Sequence, residues 1–376
     1  MRDVRIVRAA SVTGLGPDLE TTWRKLQDGE SAVRPIVRFD TGRYVARNAS
    51  WIDGLECSGG RSLLYPLLER LLDGFVPVPP DCRLVTATTK GCIDILERVR
   101  KGLPGDPAEI AASAPLAWLA AKLRLDGPGI NINTACASST VAVARAAAMI
   151  ESGASDAVLV VCMDLVTEFV FSGFSALQAL DPAGCRPFDR NRNGLSLGEG
   201  GAALLLMSAE RARREGLPPI GSVVGWGAAN DATHITAPAR DGCGLVQAVR
   251  RALAKAAVDA DEIAAINAHG TGTVYNDQME LTAFETVFGP RPIPMNSIKG
   301  AIGHTLGAAG GIEIAVGLRS LNDRTLPPTA GFLTSAEGCR ARVSARPQAI
   351  DGAYLLSTNS GFGGINAAVI LKGGAA

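Results

Sequence analysis

Twice along this chain a short apolar run leads through a small-residue loop with a reactive side chain into an alanine-rich helix. The first instance runs from Ile130–Asn133 through Cys136 into Ser138–Glu151, ending at Ser152-Gly153. The second runs from Pro292–Ser297 through His304 into Gly307–Asn322, ending before Leu326-Pro327-Pro328. Helices this rich in Ala and Gly let backbones approach closely, which fits helices held between two sheets rather than on a surface. The repeat implies two similar halves, expected at 1–212 and 213–376, with the loop groups meeting between them.

The remaining pattern is that of an α/β chain. Arg83–Thr89, Asp156–Asp164, Ala202–Met207, Ile220–Trp226, Ala264–Ala268, Pro292–Ser297, Ala353–Ser357 and Ala367–Lys372 read as strands. Several are apolar without alternation, as expected where both faces of a strand are covered. Arg47–Pro115 is broken by Pro77-Val78-Pro79-Pro80 and Leu103-Pro104-Gly105. Besides the strand at Arg83, loops and one or two helices are expected there.

Composition excludes several classes. Acidic and basic residues balance at 37 each, so no broad basic field exists to draw nucleic acid or an anionic membrane. No apolar run reaches the ~18 residues of a membrane span. The N-terminus shows no signal-peptide core. The eight cysteines form no CxxC pair and none has a histidine at zinc-ligand spacing. A reduced, cytoplasmic protein is expected, most of its cysteines acting as small buried hydrophobes.

Cys136 stands apart from the other seven. At the mouth of a long helix, unpaired N–H groups and the helix dipole favour thiolate and can hold a developing oxyanion. The small neighbours Ala135, Ala137 and Ser138 leave room for a substrate.

Only three histidines occur, and two sit beside glycines: His269 in Ala268-His269-Gly270-Thr271-Gly272-Thr273, and His304 in Lys299-Gly300-Ala301-Ile302-Gly303-His304. Two neutral imidazoles can each donate an N–H to one carbonyl oxygen and so stabilise an enolate. His234 reads as a structural or pocket-lining residue. The two glycine-flanked histidines are far apart and lack ligand spacing, so no metal is expected. A protease-like Cys/His dyad uses the same residue types. It leaves the second histidine and Lys299 unexplained.

Asp277 and Glu280 lie three apart at a helix start, where capping and dipole compensation are their ordinary use. Lys299, between short β and glycine segments, is expected to be buried and paired with Glu280 or Asp277. Asn359-Ser360-Gly361-Phe362-Gly363-Gly364-Ile365-Asn366 joins two C-terminal strands. It lacks the features of a phosphate loop and suits a segment that gives a backbone N–H to the site while the Phe362 ring gates access.

Taken in order, these cassettes resemble the β-ketoacyl-acyl-carrier-protein synthases of the thiolase-like superfamily, in their elongating Cys-His-His form, type II polyketide ketosynthases included. Ser11-Val12-Thr13-Gly14-Leu15-Gly16, Arg38-Phe39-Asp40, Arg186-Pro187-Phe188-Asp189, Gly198-Glu199-Gly200 and Gly307-Ala308-Ala309-Gly310 extend the resemblance over essentially the full chain. It implies a five-layered αβαβα fold of two pseudo-symmetric halves. It implies a decarboxylative Claisen condensation of an acyl group on Cys136 with malonyl-acyl-carrier-protein. Cys136, His269, His304 and Lys299 would be catalytic, with Glu280 and Asp277 supporting, and Lys299 with Glu280 holding the two-histidine geometry. The N–H groups of Cys136 and Phe362 would form the oxyanion hole. Thr271, Thr273, Phe174 and Ser360 would meet the substrate, and Arg190 and Arg192 the acidic carrier protein. No cofactor is implied beyond the phosphopantetheine that arrives on that carrier. The partner would be a second copy or a related synthase subunit.

Two departures stand out. The stretch from Tyr44 to Pro115 is shorter than in housekeeping members, and Ser360 stands where many carry a second gate phenylalanine. Both point to a specialised polyketide or unusual fatty-acid pathway. The alternative is a non-condensing, chain-length-factor-like partner subunit, against which the retained Cys136 argues. A thiolase would need a second cysteine near Gly361, Phe362 and Gly363, and none is there.

Overall fold

The computed structural model describes residues 2–56, 59–75, 77–339 and 342–374. Ten strands are linked by hydrogen bonds: β1 (Val4–Thr13), β2 (Arg83–Ala87), β3 (Ile130–Ile132), β4 (Ala157–Asp164), β5 (Gly200–Ser208), β6 (Gly221–Asn230), β7 (Ile263–Asn267), β8 (Met295–Asn296), β9 (Tyr354–Gly361) and β10 (Ile365–Gly373). Their order is β8-β7-β9-β10-β6-β1-β5-β4-β2-β3. The two halves of that order repeat one pattern. β1/β5 and β5/β4 are antiparallel, then β4/β2 and β2/β3 are parallel. In the same sequence, β6/β10 and β10/β9 are antiparallel, then β9/β7 and β7/β8 are parallel. Only Arg5↔Ser222 and Ile6↔Gly221 pair across the seam.

Side-chain alternation explains why strands with no polar alternation are stable. In β4, Val158, Val160 and Cys162 point into one core, whereas Leu159, Val161 and Met163 point into another. β5 divides likewise into Ala202, Leu204, Leu206 and Ala203, Leu205, Met207. A period of two with apolar residues on both faces means that both faces are covered. The outer face of the N-terminal sheet packs on α1 (Leu64–Leu72) and α2 (Ser113–Leu123). The shared middle core holds α3 (Ser138–Glu151). α4 (Glu168–Ala176) lies beside the site. α5 (Cys243–Ala256) and α6 (Val274–Phe288) cover the outer face of the C-terminal sheet. α7 (Ala309–Asn322) lies with α3 in the middle. The layers are therefore αβαβα, as the resemblance implies.

The strand and helix expectations hold with adjusted ends. α3 has the bounds read from its Ala run and Ser152-Gly153 stop. The second alanine-rich helix begins with a 3-10 turn at Leu306–Ala308 before α7. The strand expected at Pro292–Ser297 shrinks to Met295–Asn296, since Pro292 and Pro294 have no N–H for a ladder. Arg47–Pro115 contains the helices Leu64–Leu72 and Ile93–Arg100, with strand Arg83–Ala87 between them. The helix Ala209–Arg214 follows β5, and its Ala212 sits in the N-terminal outer core. A division at 212/213 cuts that helix, and we propose to draw it just before β6.

Close contact between α3 and α7 depends on missing side chains. A Cβ on Gly310 would overlap Thr140 Oγ1 on α3 and Asn359 Oδ1 on β9. Gly317 is less constrained, a Cβ there lying 3.2 Å from Leu355 Cδ2 and from Leu371 Cδ1. Gly310→Ala is expected to destabilise the fold by about 1–3 kcal/mol through overpacking. Gly317→Ala, offset by helix propensity, should change stability by under about 1 kcal/mol. Denaturant unfolding of the two variants checks this, and equal losses at both positions would contradict it.

Candidate active site

Cys136 lies between the end of β3 and the first turn of α3 and is buried at 7% exposure. Ala135 just before it has φ +50°, a left-handed turn unusual for a residue with a Cβ. Gly361 at the end of β9 approaches the same turn, and a Cβ there would sit 3.0 Å from Thr134 O and 3.1 Å from Cys136 N. That approach brings the Phe362 N–H to the thiol sulfur, which also receives the N–H of Cys136 itself.

Those donors favour thiolate, as does the positive charge of Lys299, but burial dominates. Loss of water around the sulfur, with Asp164 nearby, pushes the thiol up to about 11. The expectation of a thiol lowered by the helix N-terminus is therefore corrected. Burial outweighs the Lys299 charge and the two N–H donors, so the thiol lies above its usual range rather than below it.

His269 follows β7. Glu280 on α6 accepts its backbone N–H at 2.7 Å, that of Gly270 at 2.6 Å and the Asn276 amide at 2.9 Å. Asp277 accepts the N–H groups of Phe188 at 2.8 Å and Gly272 at 3.2 Å. Neither carboxylate caps its own helix, the ordinary use read from the sequence; both hold the histidine loop and its neighbours. Burial pushes Glu280 up to about 8, helped by Asp277, and Asp277 up to about 6. Ser297 Oγ donates to Gly270 O at 2.7 Å and accepts from Lys299 N at 3.2 Å, tying the two histidine cassettes together.

His304 is fixed by its backbone to Ser196 O at 2.7 Å. Its Nδ1 accepts the Leu306 N–H at 3.3 Å, made possible by a left-handed Leu306 at φ +53°. An accepting Nδ1 puts the proton of a neutral ring on Nε2. Burial, then the Lys299 charge, holds both imidazoles well below the usual histidine range, and His269 also feels His304. Both are neutral at neutral pH. Their rings stand edge to face, centroids 5.2 Å apart at 84°.

One nitrogen of each ring and the Cys136 sulfur lie within 4.8 Å of one another. The three residues remote in sequence thus meet at one point. That spacing could also suit a metal ion. A metal-bound imidazole, however, usually donates its other N–H to an acceptor. Here His304 Nδ1 faces an N–H donor, the reverse arrangement.

Cys136, His269 and His304 line one cavity of about 420 Å³. Thr271, Thr273, Phe174, Ser360 and Phe362 line it too. Phe362 is 37% exposed, and its ring stacks on Phe174 with centroids 5.8 Å apart. Ser360 donates to Asn366 Oδ1 at 2.7 Å.

Other sequence readings require correction. Lys299 is buried and paired, but with Glu313 on α7 rather than Glu280 or Asp277. Arg192 is buried, 3.7 Å from Asp277, and donates to Asp189 O, so it offers no surface to a carrier protein. Arg190 is exposed. His234 is exposed, and its Nδ1 accepts the N–H groups of Thr236 and Ala237. Of the described cysteines, Cys243 is partly exposed and the others are buried; Cys57 lies outside the described residues.

Three residues that organise the site went unread in the sequence. Glu313 is a lone acid on an apolar helix face, a pattern that requires a buried partner. Asp164 ends the all-apolar β4 and accepts from Thr88, Thr89 and Gly307 N, the last at 2.7 Å. Asn359 donates to Glu313 at 2.7 Å.

Comparison with known proteins follows the same line. Residues 97–212 match the β-ketoacyl synthase N-terminal domain, and residues 220–333 its C-terminal domain. The chain is 34% identical over 402 residues to 3-oxoacyl-[acyl-carrier-protein] synthase 2 of Staphylococcus aureus, covering 98% of this chain and 100% of that protein. The ishigamide ketosynthase/chain length factor structure superposes with a TM-score of 0.90 at 30% identity, covering 99% of each chain. A β-ketoacyl synthase from Burkholderia phymatum STM815 superposes with a TM-score of 0.89 at 27% identity, covering 99% of this chain and 100% of that one.

A neutral, buried thiol has a kinetic signature. Iodoacetamide modification of Cys136, followed by peptide mass spectrometry, is expected to accelerate about tenfold per pH unit from about pH 7 to about pH 9, as the thiolate fraction grows. A rate that levels off below about pH 8 would show that the helix N-terminus prevails over burial.

Proposed function

The chain belongs to the β-ketoacyl synthases and is a condensing enzyme, and from that premise we propose that it joins an acyl group held on Cys136 to a malonyl group on acyl carrier protein. The observation that carries this reading is the meeting of one thiol, two neutral imidazoles and two backbone N–H groups at the inner end of one cavity.

In the first half-reaction the Cys136 sulfur attacks the acyl thioester. The oxyanion receives the N–H groups of Cys136 and Phe362. Collapse expels the carrier phosphopantetheine sulfur, which leaves with the proton that the thiol gives up. In the second, the malonyl thioester oxygen lies between His269 and His304. The bond to the carboxylate breaks, CO2 departs, and the electron pair becomes an enolate held by the two ring N–H donors. The enolate carbon attacks the acyl–Cys136 carbonyl, the C–S bond breaks, and the thiolate sulfur takes from solvent water the one proton that the overall condensation consumes. Lys299 supports the site through Glu313. The enzyme needs no cofactor of its own in this scheme, nor a metal ion.

We place the reaction in a specialised polyketide or unusual fatty-acid pathway. Ser360 in the cavity wall supports that reading, as does the likeness to the ishigamide ketosynthase/chain length factor. The exposed Arg190 is the candidate contact for an acidic carrier protein. The enzyme acts as a dimer, with a second copy or with a related subunit. Cys136, placed in the cavity beside both histidines, favours a condensing role over that of a chain-length-factor-like partner.

Intact mass spectrometry with a panel of acyl-carrier proteins tests the assignment. Wild type gains the acyl mass and Cys136→Ala does not; a gain that survives in the alanine variant removes Cys136 from its role. His304→Ala is expected to acylate normally while malonyl decarboxylation falls about 10²- to 10³-fold, the effect of deleting one oxyanion donor. Undiminished malonyl turnover in that variant would refute the histidine assignment. Saturated long-chain extension at the rate of a bulk fatty-acid synthase would exclude the specialised pathway.

A further inference from the structure

Asn359 is buried in β9, between α3, α7 and the histidine loop. Its Oδ1 accepts the Thr140 hydroxyl. Its Nδ2 donates to Glu313 Oε2 at 2.7 Å and lies 3.1 Å from His269 Nδ1. The amide can face only one way. Glu313, paired with Lys299, is a carboxylate and cannot donate, so the NH2 group must face it. The second N–H of that group then points at His269 Nδ1. A donor facing Nδ1 needs a lone pair there, which puts the proton of the neutral ring on Nε2.

We propose that Asn359 is a positioning residue that fixes His269 as the Nε2–H tautomer, and that the Lys299–Glu313 pair acts on the reaction through this amide. The inference rests on the condensing reaction proposed above. The other tautomer would turn a lone pair toward the substrate oxygen and repel the enolate. His304 reaches the same tautomer by a different route, the Leu306 backbone N–H. One ring is therefore set by main chain and the other by a side chain. Thr140 gives the amide oxygen its donor, and Gly310 leaves the space in which the amide sits.

The test has one arm without substrate and one with it. With only three histidines, 15N-histidine labelling and NMR can assign each ring tautomer, His234→Gln removing the exposed one. Wild type is expected to show Nε2–H at His269. Asn359→Asp, which replaces the donor with an acceptor, should move that ring to Nδ1–H. The same variant should lower malonyl decarboxylation about 10²-fold while Cys136 acylation changes less than about threefold. Asn359→Ala removes the donor without adding a charge; a mixed tautomer and an about tenfold loss of decarboxylation are expected. This variant decides the matter if Asn359→Asp fails to fold. An Nδ1–H ring in wild type, or equal losses in acylation and decarboxylation, overturns the proposal. A wild type that does not acylate would sink the condensing reading, while the NMR arm still decides the tautomer.

Discussion

Lys299 and Glu313 form an ion pair at the dry centre of the molecule, each 1% exposed at its side chain. Such a pair is a poor source of stability, because removing two charges from water offsets most of their attraction. Its value lies in the field and the contacts it imposes. The ammonium lowers both imidazoles and counteracts part of the burial of the Cys136 thiol. The carboxylate orders an amide that reaches the first histidine. Removing either partner would strand the other, typically at a loss of about 3–5 kcal/mol. Fold and chemistry are thus coupled at one contact.

That contact is possible because the two halves repeat one topology. The chain delivers α3 and α7 side by side into the middle layer, each preceded by a loop with a reactive group. Cys136 sits between a strand end and a helix start, and His269 just past a strand end, where backbone N–H groups are free and the chain can turn sharply. A Cβ at Gly310 would overlap Thr140 and Asn359, and one at Gly361 would lie 3.0 Å from Thr134 O, so the geometry depends on atoms the sequence omits.

Much of this was legible beforehand for definite physical reasons. Ala-rich runs with glycine stops marked α3 and located Cys136 at its mouth, because local composition decides such helices. Strands buried on both faces announced themselves by unbroken apolar runs. Cys136, His269 and His304 could be named because their loops are rich in small residues. Long-range pairing was not legible. The partner of Lys299 lies 14 residues away on a helix whose register decides the contact, and Glu280 and Asp277, farther along the chain but in the histidine cassette, looked equally suitable. Arg192 looked like surface charge because a string of residues carries no depth. The thiol was misjudged for the same reason: a helix terminus shows in sequence, whereas desolvation appears only once the cavity walls are in place.

A thiol resting about 11 has a further consequence. Peroxide attacks the thiolate and scarcely the thiol, so an idle active site of this kind is chemically quiet in oxidising surroundings. Here the same dry enclosure that raises the Cys136 thiol also keeps its thiolate scarce between turnovers.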